Sequence, residues 1–117
     1  MNFLPAKVQA DQLLIGEHRL PLGDQLRHSL AGTESLKLGI RPEYIAVLNA
    51  PAEGCLPAQV LRWQDLGTSG LLTTQCAGEV LRVRLANHSE APAVGQTVYV
   101  QVLGIHTCFY EQEALIA

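Results

Sequence analysis

Apolar and polar residues alternate with a period of two through most of this chain. Leu81, Val83 and Leu85 interleave with Arg82 and Arg84, and Val98, Val100 and Val102 interleave with Tyr99, Gln101 and Leu103. Successive side chains of a strand point to opposite faces, so this rhythm marks strands with one buried face. The run Thr97–Leu103 is also rich in β-branched residues, whose stiff side chains suit a pleated surface. Leu71–Cys76 and Val80–Leu85 form another pair, joined by the turn Ala77-Gly78-Glu79. A longer run, Cys55–Leu66, ends at the small-residue break Gly67-Thr68-Ser69-Gly70. The pattern predicts a meander of three strands, a loop over 86–95, and two further strands.

The first third reads the same way. Phe3–Ala10, Gln12–Ile15 and His18–Leu22 are predicted as short strands, with Gly16-Glu17 as a tight turn. Asp24 is placed to cap a brief helical turn through Ser29. Leu36–Ile40 and Tyr44–Leu48 are extended segments flanking Arg41-Pro42-Glu43. Pro42 lacks an N–H and drives Arg41 out of the helical region, so the tripeptide belongs to a bend or a sheet edge. The segment 49–54, with Pro51 and Gly54, connects two β units. The expected organisation is an N-terminal β unit over 1–54, carrying the Arg-Pro-Glu bend, and a five-stranded meander over 55–117. Together they make one compact all-β domain, a small barrel or barrel-like sandwich of short antiparallel strands.

Composition narrows the choice of function. The chain has 117 residues, 48% hydrophobic, which suits a single folded domain. Only 16% are charged, against roughly 25% in average soluble chains, a shortfall that suits a surface partly covered by a partner. Net charge is −3, so no basic footprint for nucleic acid is present. No apolar run reaches the ~18–20 residues of a membrane span. Met1–Ala10 lacks the basic-then-apolar pattern of a secretion signal. Cys55, Cys76 and Cys108 are odd in number and widely spaced, as expected of reduced, mostly buried thiols in a cytoplasmic protein. The sequon Asn87-His88-Ser89 carries no meaning without secretion.

No catalytic, cofactor-binding or metal-ligating constellation emerges. The chain holds no phosphate-cradling Gly-x-x-x-x-Gly-Lys-Ser/Thr loop, no Gly-x-Gly-x-x-Gly, no His-Glu-x-x-His and no Gly-x-Ser-x-Gly. His18, His28, His88 and His106 are scattered, and Asp65 with Glu79 or Glu90 reads as solvated turn residues. Three features carry a functional reading beside a plain one. Arg41-Pro42-Glu43 is either an ion-paired bend against a neighbouring domain or a solvated turn. Trp63, on a strand face shared with Leu61 and Asp65, is either an interface anchor or core. Gly67, Thr68, Ser69 and Gly70 form either an oxyanion-binding loop of free N–H groups or an ordinary hairpin.

Leu38-Gly39-Ile40-Arg41-Pro42-Glu43-Tyr44-Ile45 resembles the LGIRPEHI segment in the C-terminal region of ATP-binding subunits of ABC importers of the maltose, glycerol-3-phosphate and multiple-sugar type. Met1-Asn2-Phe3-Leu4-Pro5 is similar to the stretch where that family's chain leaves its nucleotide-binding domain, and residues 60–67 are similar to its VEVVEPLG strand. Gly95-Gln96-Thr97-Val98 fits the start of a late strand, and residues 109–116 the closing segment, with Tyr110 and Ala114 where the family usually has Asp and Gly. The resemblance implies an OB-type, transport-associated (TOBE) regulatory domain, with ATP and Mg bound only in a separate N-terminal nucleotide-binding domain. It implies a homodimer, with Leu61, Trp63 or Phe109 as contact candidates. It also implies contact with the nucleotide-binding domain of the same parent, membrane subunits reached through that parent, and a regulatory protein. The expected place is cytoplasmic, peripheral on the inner face of the membrane. Two other readings remain open: a stand-alone oxyanion binder of the molybdate type acting through Gly67–Gly70, and an OB-fold nucleic-acid binder, which the acidic balance disfavours.

Overall fold

The structure is a computed structural model that describes residues 1–33, 35–86, 92–111 and 114–117. The sequon at Asn87, together with His88 and Glu90, lies outside the described residues, as do Gln112 and Glu113 of the closing segment. Alternation produces most strands where expected: β1 (Asn2–Gln9), β2 (Gln12–Ile15), β3 (His18–Pro21) and β4 (Leu36–Ile40), then β5 (Ala46–Leu48), β6 (Cys55–Asp65), β7 (Gly70–Cys76) and β8 (Glu79–Leu85), and finally β9 (Thr97–Gln101) and β10 (Cys108–Glu111), with a third short strand after the loop, β11 (Ala114–Leu115), beyond the two expected there. A six-residue helix, α1 (Asp24–Ser29), follows β3. Its cap is Gly23 rather than Asp24, and no side chain caps it. Asp24 instead sits in the first turn, where its carboxylate accepts a hydrogen bond from Arg27 at 2.9 Å.

Two antiparallel sheets result. The first runs β11-β10-β4-β1-β2-β3 and the second β5-β9-β6-β7-β8. The sheets exchange strands along the chain, since β5 joins the second sheet and β10 and β11 return to the first. Opposite residues of antiparallel neighbours share a face, so the register places Leu4 beside Leu38 and Phe109 on one inner face. It likewise places Leu72 beside Val83, and Leu56 beside Val100, on the other. These side chains, with Leu13, Ile15, Leu81 and Val98, form one continuous core. The molecule is elongated, 43 × 24 × 22 Å, with the sheets' outer faces left to solvent.

Three local devices fix the arrangement. The β7–β8 hairpin closes through Ala77 and Gly78, at φ 51° and 81°; two left-handed residues in a two-residue loop match the strands' own twist. A bulge in β6 between Val60 and Arg62 lets Leu61 slip the pairing, so Arg62 faces Thr73 and Trp63 faces Leu72. Asn2 joins the two sheets. Its Nδ2 donates to the Arg82 carbonyl at 2.7 Å, while the Arg82 N–H donates to its Oδ1 at 2.9 Å. The amide thus stands in for a neighbouring strand on β8, the edge of the second sheet, where unpaired backbone would otherwise lie open.

Candidate functional site

The Arg-Pro-Glu bend is a short 3-10 turn over Pro42–Tyr44, begun by Arg41 in an extended conformation. Pro42 at its first position needs no N–H partner there. Tyr44 therefore belongs to the bend rather than to the strand expected after it. The turn packs against β8, and the Tyr44 ring stacks on His106 with centroids 3.9 Å apart and planes 8° from parallel. Ion pairing does not hold this bend: among the described residues, salt bridges join only Arg27 to Asp11 and to Asp24. Arg41 and Glu43 are exposed. The His106 side of the stack belongs to a loop held by Thr107, whose Oγ1 accepts from the Gly104 N–H and donates to the Val102 carbonyl. That loop leaves Ile105 96% exposed.

Trp63 is half-buried against the core. Its ring lies over Gly70 so closely that a Cβ there would fall 1.8 Å from a ring carbon. Because the bulge interrupts the alternation, Leu61 does not continue the Trp63 face and is itself exposed. Trp63 thus closes the end of the β6–β7 hairpin. Phe109 is fully buried opposite Leu38, which corrects its candidacy as a contact residue: its ring has no surface left for a partner.

The Gly67–Gly70 loop is internally bonded. The Gly67 N–H donates to the Asp65 carboxylate at 2.8 Å, and the Leu66 N–H donates to the Ser69 carbonyl at 2.8 Å. A carboxylate already occupies the position an oxyanion would take at Gly67, and its charge repels a second anion. Gly70 is buried under Trp63. No group of three or more His, Cys, Asp or Glu able to hold a metal exists among the described residues. Burial pushes the Cys76 thiol up to about 11 and raises that of Cys55, so neither is poised as a thiolate nucleophile. An open cleft between α1 and the 101–107 segment is lined by Leu26, Ser29, Gly54, Leu103 and Thr107, with Glu53 as the one charged side chain among the described lining residues.

The outer sheet faces hold what pattern reading did not single out. On the first sheet, Phe3 and Tyr110 meet edge to face at 5.8 Å and the Tyr110 hydroxyl points at the Met1 sulfur, 3.7 Å away, all above Gly39. On the second, Arg62 and Arg82 flank Thr73, while Arg84 lies opposite Leu71. The i, i+2 spacing of Arg82 and Arg84 signals a shared face in the sequence; the position of Arg62 depends on the bulge.

The comparisons agree with this architecture. The family model described as the MalK OB fold domain matches residues 1–45, and that described as the TOBE domain matches residues 38–106. A comparison with curated proteins finds no match. Among solved structures, the cytoplasmic molybdate-binding protein ModG, in a form with molybdate bound, superposes with a TM-score of 0.69 at 11% identity, covering 92% of this chain and 94% of that one. Helices long and apolar enough to cross a membrane are absent among the described residues.

Proposed function

Since the chain belongs to the TOBE domain family, we propose that it is the C-terminal regulatory and dimerisation domain of the ATP-binding subunit of an ABC importer for sugars or related solutes. The carrying observation is the pair of consecutive family matches, a MalK-type OB segment leading into a TOBE domain. The TOBE domain is a non-catalytic module; ATP and Mg are handled by the nucleotide-binding domain of the parent chain. The partners are a second copy, that nucleotide-binding domain, the membrane subunits through the parent, and a regulatory protein. The place is the cytoplasmic side of the membrane. Exposed Ile105, beside the Tyr44–His106 stack, supports a contact role for the bend, because aromatic and aliphatic anchors dominate such surfaces. Sedimentation equilibrium at about 100 μM tests the dimer: self-association is expected, and a monomer at every concentration contradicts it.

A second reading, a stand-alone small-oxyanion binder, draws support from the end-to-end superposition on ModG. The Asp65 carboxylate on the Gly67 amide weighs against Gly67–Gly70 as its site. Calorimetric titration with molybdate separates the readings. No heat of binding is expected; saturable heat would favour the anion binder.

A further inference from the structure

We propose that the outer face of the second sheet is a docking surface for an acidic segment of a partner protein, gripped by Arg62, Arg82 and Arg84. The register fixes their placement. Arg62 and Arg82 stand on either side of Thr73, two strand spacings or ~10 Å apart, and Arg84 is ~7 Å along β8 from Arg82. All three are exposed, and none has a carboxylate within ion-pair distance among the described residues. Three guanidiniums on one sheet face, unmatched among the described residues, stand out on a chain of net charge −3. Their mutual repulsion gains nothing for the fold, and a ligand of opposite charge relieves it.

The surroundings select among anionic occupants. Gln64 and Gln75 share the face with Thr73, offering amide and hydroxyl groups that suit the backbone of an extended peptide. Exposed Leu61 and Val80 flank the arginines and give apolar contact to a protein segment. Among the described residues no aromatic ring stands between the arginines, since Trp63 turns over Gly70, which deprives single-stranded nucleic acid of a stacking platform there. Anionic membranes are recognised by clusters of 4–8 basic residues, more than this face carries. Arginine forks pair bidentately with carboxylates, which matches glutamate or aspartate side chains. The surface goes beyond the importer reading and does not depend on it.

Fluorescence anisotropy of fluorescein-labelled octaglutamate, titrated with the 117-residue chain at about 50 mM salt, tests the proposal. The triple variant R62Q/R82Q/R84Q is expected to bind about tenfold more weakly, three exposed pairs contributing roughly twofold each. The control K7Q/K37Q, on the other sheet, is expected to stay within twofold. Thermal unfolding monitored by circular dichroism verifies that each variant folds. If the triple variant does not, R84E on the edge strand is expected to weaken binding about threefold. No binding by the wild-type chain, or equal loss in the lysine control, overturns the proposal. So does tighter binding of oligo-dT or of phosphatidylserine vesicles than of the peptide. Loss of self-association in the triple variant would assign the face to a second copy instead. A positive molybdate titration, which would sink the importer reading, leaves the peptide result unaffected.

Discussion

The outer faces of the two sheets, built over the same alternating inner pattern, treat their exposed groups in opposite ways. On the first sheet, Met1, Phe3 and Tyr110 lean together over Gly39 and satisfy one another. On the second, three arginines stand apart with no carboxylate partner among the described residues. Inner positions are dictated by the core and leave little room for choice. Outer positions are free of that demand, so their chemistry reports on partners rather than on folding.

The largest expected effect separates Gly70, beneath the Trp63 ring at the β6–β7 hairpin end, from Gly39, beneath the first-sheet cluster. At Gly70 an added Cβ meets the Trp63 ring at 1.8 Å, with a further ring carbon at 2.2 Å. The ring is half-buried against the core, so displacing it breaks packed contacts, and Gly70→Val should cost about 3 kcal/mol. At Gly39 the nearest atoms, at 2.8–3.2 Å, are the ends of Tyr110, Met1 and Phe3, which can swing into solvent. Gly39→Val should therefore cost about 1 kcal/mol or less. Urea denaturation measures both, and equal losses would show that the first face is as rigidly packed as the hairpin end.

Next comes the joint between the sheets. Asn2→Ala removes two hydrogen bonds to the Arg82 backbone and leaves a donor and an acceptor of β8 without them. The expected loss is about 2 kcal/mol, with faster amide exchange at Arg82; unchanged exchange would mean that the edge is protected by other groups. A smaller effect is expected at the bend. His106→Ala removes the stack on Tyr44 and should cost about 1 kcal/mol, read as a shift in the denaturation midpoint. The least disruptive comparison is chemical: at pH 8 iodoacetamide should label Cys108 and Cys55 well before Cys76, whose thiol burial pushes up to about 11. Early labelling of Cys76 would mean that the second sheet opens readily.

Most strands were legible because alternation is local. The Ala77-Gly78 turn was legible because its two-residue length and its glycine select a hairpin. Long-range pairing was not. Nothing near Cys108 in the sequence says that β10 returns to lie beside β4, and the Asn2–Arg82 contact spans 80 residues. The burial of Phe109 is illegible for the same reason, since only its pairing with Leu38 places it in the core. Trp63 was misaligned with Leu61 by one bulged residue, which no period-2 pattern announces. The same bulge hid Arg62 from the face that Arg82 and Arg84 already marked.

The central claim is that this chain works as the regulatory end of an importer ATPase. Immunoblotting of membrane and soluble fractions of the source cells, with antibody against this chain, tests it most directly. The account predicts a band far heavier than 12.7 kDa in the membrane-associated fraction. A single soluble band at 12.7 kDa would contradict it and move the small-anion reading to the front.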